Sequence, residues 1–194
     1  MKSIILFTQI SQTMLQVALQ EIWRNSGNCL VVDTDDSIHA ILEQYAISSM
    51  PLRAQGKVNW SKRDSAFREL CMPGKQLGIS FPTTELPIWK VIAMDRLNFW
   101  YMGDLISSWY KYLLALDWQK AYVSADLHNP LGWALAKYSG RQVVGVKVAS
   151  LRTREWYDML HTGGIPFSAL ITEKESDMRF LKDNGWKGEC YLAT

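Results

Sequence analysis

Short unbroken apolar runs alternate along this chain with segments of helical spacing, and that rhythm leaves few folds open. A strand with one wet face alternates apolar and polar residues, whereas an unbroken run is covered on both faces, as in a parallel sheet. Runs of this kind stand at residues 3–8, 28–33, 121–125, 142–149, 167–172 and 189–192 and are read as strands. Between them, helices are expected at 11–25, 37–45, 130–139, 153–161 and 176–184. The first carries Met14, Leu15, Ala18, Leu19 and Ile22 at the three-to-four spacing of an amphipathic helix, with Ser11 as N-cap and Gly27 at its end. Pro130 opens a helix in its first turn and Gly140 follows its end; Gly163-Gly164 and Gly185 close the next two.

A β-α-β-α series predicts an α/β fold, a Rossmann-like doubly wound parallel sheet with right-handed crossovers and helices on both faces. No linker, repeat or low-complexity tract divides residues 1–194, which suit a single domain. The middle is harder to read. Pro51, Pro73, Pro82 and Pro87, with Gly56, Gly74 and Gly78, break any long element there, leaving one helix expected at 61–71 behind Ser61. Residues 86–117 are apolar and aromatic and read as helices, broken near 95–98. Trp100, Trp109, Trp118, Tyr101, Tyr110 and Tyr112 crowd this stretch, and packing is the favoured use for them, ahead of stacking on a sugar.

Composition excludes several classes. A net charge of +2, with Lys and Arg scattered among acids, lacks the clustered basic face that nucleic acid requires. Cys29, Cys71 and Cys190 have no metal-ligand spacing, and no metal or cofactor is expected. Cys29 and Cys190 lie in strand-like runs as small buried hydrophobes, which fits a reducing cytoplasm. The apolar opening at Ile4-Ile5-Leu6-Phe7 stops at Thr8-Gln9 without a cleavage site, so it reads as a strand and not a signal peptide. Phe99 to Trp118 contains Asp104, Lys111 and Asp117, so no transmembrane segment is expected.

In an open parallel sheet, ligands bind at the carboxyl ends of the strands. Those ends are Thr8-Gln9-Ile10-Ser11, Asp33-Thr34-Asp35-Asp36, Asp126-Leu127-His128-Asn129 and Ser150-Leu151-Arg152-Thr153-Arg154. The first lacks the glycines that let backbone amides approach a pyrophosphate, so no dinucleotide fingerprint exists for the Asp33–Asp36 acids to complete. Those acids read as solvated turn and helix N-terminal charges. A P-loop is absent, and so is an acidic pair after the first strand.

The segment from Asp126 to Thr153 reads Asp-Leu-His-Asn-Pro-Leu-Gly-Trp-Ala-Leu-Ala-Lys-Tyr, then Gly-Arg-Gln-Val-Val-Gly-Val, then Ala149-Ser150-Leu151-Arg152-Thr153. It resembles the part of UDP-N-acetylglucosamine 2-epimerases and related GT-B glycosyltransferases in which a strand-end Asp, a small-residue helix and a strand lead into an Ala-Gly-Leu-Arg-Thr turn. Leu131, Ala136, Ala149, Leu151, Arg152 and Thr153 fall on matching positions. The residues that follow fit only in rhythm. Val148 stands where the epimerases carry a catalytic Glu, and Ser150 replaces the Gly, so epimerase chemistry is not expected.

The resemblance implies the N-terminal, acceptor-binding domain of a GT-B-type glycosyltransferase, with the nucleotide-sugar held mainly by a second domain. The partners it implies are a sugar or glycan acceptor and, through that domain, the donor. Asp126 and His128 are the candidates for deprotonating an acceptor hydroxyl. Asn129, Arg152, Thr153 and Arg154, with Thr8 and Gln9, are the candidates for binding substrate and stabilising a diphosphate. The chain's end at Thr194, directly after a strand, suggests an excised domain or one chain of a split enzyme, inactive alone. The rival reading is a non-catalytic flavodoxin-like module using the same edge for a small anion or a protein partner.

Overall fold

A computed structural model of the chain describes residues 2–33, 36–51, 110, 112–125, 129–147, 151–161 and 164–193. In chain order its elements are β1 (Ser3–Phe7), α1 (Gln12–Arg24), β2 (Cys29–Asp33), α2 (Asp36–Gln44), β3 (Met50–Pro51), β4 (Lys120–Ala125), α3 (Pro130–Tyr138), β5 (Gln142–Lys147), α4 (Arg154–His161), β6 (Ala169–Thr172), α5 (Glu175–Asp183) and β7 (Glu189–Leu192).

The seven strands form one sheet in the order β3-β2-β1-β4-β5-β6-β7, and every pairing is parallel. The chain builds outward from β1 in one direction, then returns to its other side at β4. This is the doubly wound α/β arrangement expected from the sequence. The core divides accordingly. Met14, Leu15 and Ala18 of α1 and Ile38 and Leu42 of α2 pack with Ile5, Phe7, Val31, Tyr122, Val144 and Val146 on one face. Leu131 and Leu135 of α3, Trp156 and Met159 of α4 and Leu181 of α5 pack with Ile4, Leu6, Val123, Val143 and Leu170 on the other. Right-handed crossovers place helices on opposite faces when the chain steps first one way along a sheet and then the other.

Local signals act as anticipated at the helix ends. Ser11 Oγ accepts from the Met14 amide at 3.0 Å, and α1 stops where Gly27, at φ +76°, turns its N–H back onto the Ile22 carbonyl at 2.9 Å. Two departures from the sequence reading go beyond a residue at an element's end. Strand β3 lies in a stretch where no strand was expected, because two residues ending in proline carry no periodicity. Strand β6 starts at Ala169, since Phe167 turns into the core while Ser168 bonds the Val143 carbonyl through its amide and hydroxyl, at 2.9 and 2.8 Å. Strand β5 is described to Lys147, with 148–150 outside the described residues. The expected helix at 61–71, most of 86–117, and Trp100, Tyr101 and Trp109 also lie outside them.

Packing is the use found for two of the clustered aromatics. Trp118 and Tyr110 are buried against the β4 face, whereas Tyr112 is exposed. Arg141 caps this region, donating to the Leu116 and Leu114 carbonyls at 2.7 and 3.2 Å while its guanidinium lies 4.6 Å from the Trp118 ring centre. Cys29 and Cys190 are half-buried, less than a core reading anticipates.

Gly145, in the middle of β5, is fixed by close approach. A β-carbon there would stand 2.6 Å from Leu170 Cδ2 and 3.0 Å from Ala125 Cβ, both buried. Gly145→Ala is therefore expected to cost about 1–3 kcal/mol by overpacking. Chemical denaturation checks this; an unchanged midpoint would mean the sheet can spread there freely.

Candidate functional site

Because every pairing is parallel, strands β1, β2, β4, β5 and β6 all end at one carboxyl edge of the sheet. Its topological switch lies between β1 and β4, which pair directly. The turn after β1 is tied down there. The Thr8 amide donates to Ser124 Oγ at 3.2 Å, and that buried hydroxyl lies 3.5 Å from the carbonyls of Leu6 and Gln9. Thr8 is half-buried and Gln9 exposed, so of the two the Gln9 side chain is the more open to a ligand. In the first turn of α1, the Thr13 hydroxyl donates to the Glu173 carboxylate, which follows β6. An internal anion thus already meets the first turn of α1.

Strands β4 and β5 pair along their whole length and end together at Ala125↔Lys147. Asp126 and His128 lie outside the described residues. Asn129 is only 1% exposed, and both ends of its carboxamide serve the fold. Nδ2 donates to the Ser124 carbonyl at 2.8 Å, and Oδ1 accepts from the Gly132 amide at 3.0 Å as the N-cap of α3. Both polar atoms of that side chain are thus engaged in holding the turn.

After β5, buried Leu151 anchors the turn. Arg152 is exposed and reaches across to the Ser176 carbonyl of α5 at 3.2 Å. Thr153 Oγ1 accepts from the Trp156 amide at 3.5 Å at the start of α4. Arg154, with its side chain 91% exposed, points to Asp158 one turn on, at 4.0 Å, and remains open to solvent. Arg152 and Arg154 therefore leave the same turn in different company, one toward α5 and the other along α4.

Two charged clusters at this edge bring in Lys147, Asp177 and His39, which the sequence reading did not single out. Lys147, the last residue of β5, is buried with its Nζ 2.6 Å from Asp177 Oδ2 in the first turn of α5. At the end of β2, Asp33 is fully buried, which corrects its reading as a solvated turn charge. Asp36 does occupy the first turn of α2, as expected, and Asp35 lies outside the described residues. Asp33 Oδ2 takes His39 Nδ1 at 2.9 Å and the Ser49 hydroxyl, which itself lies 2.9 Å from the same Nδ1.

Asp, His and Ser together invite comparison with a hydrolase triad, but the geometry opposes it. A triad needs the carboxylate on one ring nitrogen and the serine on the other. Here both share Nδ1, while Nε2 faces Glu43 at 3.4 Å. Burial, as the leading cause, pushes the thiols of Cys29 and Cys190 upward, away from the thiolate a nucleophile needs. Among the described residues, no group of three or more His, Cys, Asp or Glu is placed to hold a metal ion, and no helix is long and apolar enough to cross a membrane.

No protein-family model and no curated protein matches this chain.

Proposed function

We propose that this chain is the acceptor-binding domain of a GT-B-type, nucleotide-sugar-dependent glycosyltransferase, and that it does not turn over without a donor-binding partner domain. The observation that carries this reading is the Ala125↔Lys147 pairing at the ends of β4 and β5. It ends, side by side, the two strands whose following segments, one with Asp126 and His128 and the other with Arg152, Thr153 and Arg154, carry the glycosyltransferase resemblance. In this reading Asp126 or His128 takes the proton of an acceptor hydroxyl, and the exposed Arg154 meets negative charge that develops on the leaving diphosphate. Arg152 orients the turn from its seat on α5.

The strand order supports the same reading over a flavodoxin-like module. Here β2 and β3 both lie on one side of β1, whereas flavodoxin-like sheets run 2-1-3-4-5. The contact between Thr13 and Glu173 also fits a half that does not hold the donor. A carboxylate at the first turn of α1 repels the diphosphate that this turn binds in nucleotide-holding domains.

Calorimetric titration of the chain with UDP-, GDP- and CMP-sugars, and a glycan-array screen beside it, test the reading. The titrations are expected to show no complex of micromolar affinity. The array is expected to show weak binding of a glycan class that Asp126→Asn or Arg154→Ala reduces without changing the denaturation midpoint. A micromolar or tighter complex with any nucleotide-sugar would show that the donor half has been mistaken for the acceptor half.

A further inference from the structure

At one end of the carboxyl edge, away from the proposed acceptor site, an imidazole stands between two carboxylates. Its Nδ1 lies 2.9 Å from Asp33 Oδ2 and its Nε2 lies 3.4 Å from Glu43 Oε1, one helical turn further along α2. Asp33 is fully buried, and its other oxygen, Oδ1, has no hydrogen-bond partner. The third contributor is Ser49, immediately before β3, whose hydroxyl donates to Asp33 Oδ2. Asp36 opens α2 one turn before the ring. Among the described residues, the charged groups around His39 from β2 and α2 are thus acids, and the turn before β3 adds a neutral hydroxyl.

A neutral imidazole carries one N–H. It can donate to Asp33 or to Glu43, and its bare nitrogen then faces the other carboxylate. The imidazolium donates to both. It also sets a positive charge against a carboxylate that has left water with one oxygen unsatisfied, an arrangement costly without a counter-charge. Among the described residues, strand β3 pairs with β2 through Val32↔Met50 and Asp33↔Pro51, and Pro51 has no N–H to give.

We propose that His39 is a pH-sensitive latch: as imidazolium it bridges Asp33 and Glu43 and, with Ser49, fastens edge strand β3 to β2, and release of its proton loosens that edge. The sign follows from linkage. The folded chain binds this proton more tightly than the unfolded chain, where a histidine titrates near its ordinary value of about 6.5. The latch is therefore closed at mildly acid pH, and its contribution is lost as pH rises through the folded-state value.

Ring resonances of the chain's three histidines, followed by NMR across about pH 5 to 9 and assigned with His39→Gln, test this directly. His39 is expected to hold its proton about tenfold more tightly than a free histidine. Exchange protection of the Met50 amide should fall over the same pH range. The wild-type denaturation midpoint should also decline more steeply with pH than that of His39→Gln. Ring titration at or below the free-histidine value, or parallel wild-type and variant profiles, would overturn the latch. If His39→Gln does not fold, Glu43→Gln replaces it. Glu43 is 68% exposed in its side chain, and its loss should weaken the ring's hold on its proton; an unchanged titration would overturn the proposal equally.

Discussion

Lys147→Met is expected to destabilise the domain by about 3–5 kcal/mol, because it leaves the Asp177 carboxylate buried and without its cation. The pair is dry: the Lys147 side chain is 9% exposed and that of Asp177 4%. Asp177 Oδ2 lies 2.6 Å from Nζ, the distance of a charge-assisted hydrogen bond. Asp177→Asn should cost a similar amount by stranding the ammonium. The double variant Lys147→Met with Asp177→Leu removes both charges and should return to within about 1 kcal/mol of wild type. Urea denaturation of the four proteins measures the cycle. Additive losses in the double variant would mean that the residues act independently and that the ion pair contributes no coupling. The pair also joins the end of β5 to the start of α5, so its loss should unsettle the turn that carries Arg152 and Arg154.

The sheet was legible because parallel strands buried on two faces leave an unmistakable trace. Runs such as Val143-Val144-Gly145-Val146 and Ile4-Ile5-Leu6-Phe7 have no polar position to offer to solvent, and each became a strand of the parallel sheet. Helix ends were legible for an equally local reason, since Ser11 and the glycines at 27, 140 and 185 act on their own neighbours; all three glycines have positive φ. Strand β3 was not, because it borrows its conformation from β2 and from the side chains of Asp33, His39 and Ser49. Two residues cannot show a period.

The edge of the sheet was legible as a place but not as an arrangement. Strand-end rules selected the turns at Thr8, Asp33, Asn129 and Arg152 correctly as neighbours of the carboxyl edge. They could not say that Asn129 spends both ends of its side chain on Ser124 and Gly132. Nor could they say that Arg152 is drawn to Ser176, since that partner follows 24 residues later in the chain. One signal was available and unused. Lys147 closes a run of valines whose spacing demands burial, and a charge in such a position requires a counter-charge. The acids of the last helix's first turn, Glu175 and Asp177, were the places to look.

The same rule applied to α1 identifies the second large effect. Glu21 lies seven residues after Met14 and three after Ala18, squarely on the buried stripe, and only 8% of it is exposed. Its Oε1 accepts from the Tyr122 hydroxyl at 2.8 Å; its Oε2 accepts from Ser3 at 3.1 Å and from Asn25 Nδ2 at 2.9 Å. One carboxylate thus joins α1 to β1 and β4 at the amino edge of the sheet. Glu21→Leu fills the volume but strands the buried hydroxyls of Tyr122 and Ser3, and should cost about 3–4 kcal/mol. In a domain of this size that lowers Tm by on the order of 10 °C. Glu21→Gln keeps an acceptor and should lose about 1–2 kcal/mol.

A pH signature separates this network from simple packing. Burial first, and then the hydrogen bond and charge of Glu21, push the Tyr122 phenol well above the ordinary tyrosine range. The folded chain therefore keeps a proton that the unfolded chain releases near its ordinary value of about 10, so stability should fall as pH rises beyond that point. Tyr122→Phe should flatten the alkaline decline, and Glu21→Gln should bring the phenol's titration down. Tyrosinate absorbance and denaturation midpoints across the alkaline range read both effects. A Glu21→Gln protein whose tyrosines titrate as in the wild type would show that burial alone holds the phenol proton, with the carboxylate adding nothing.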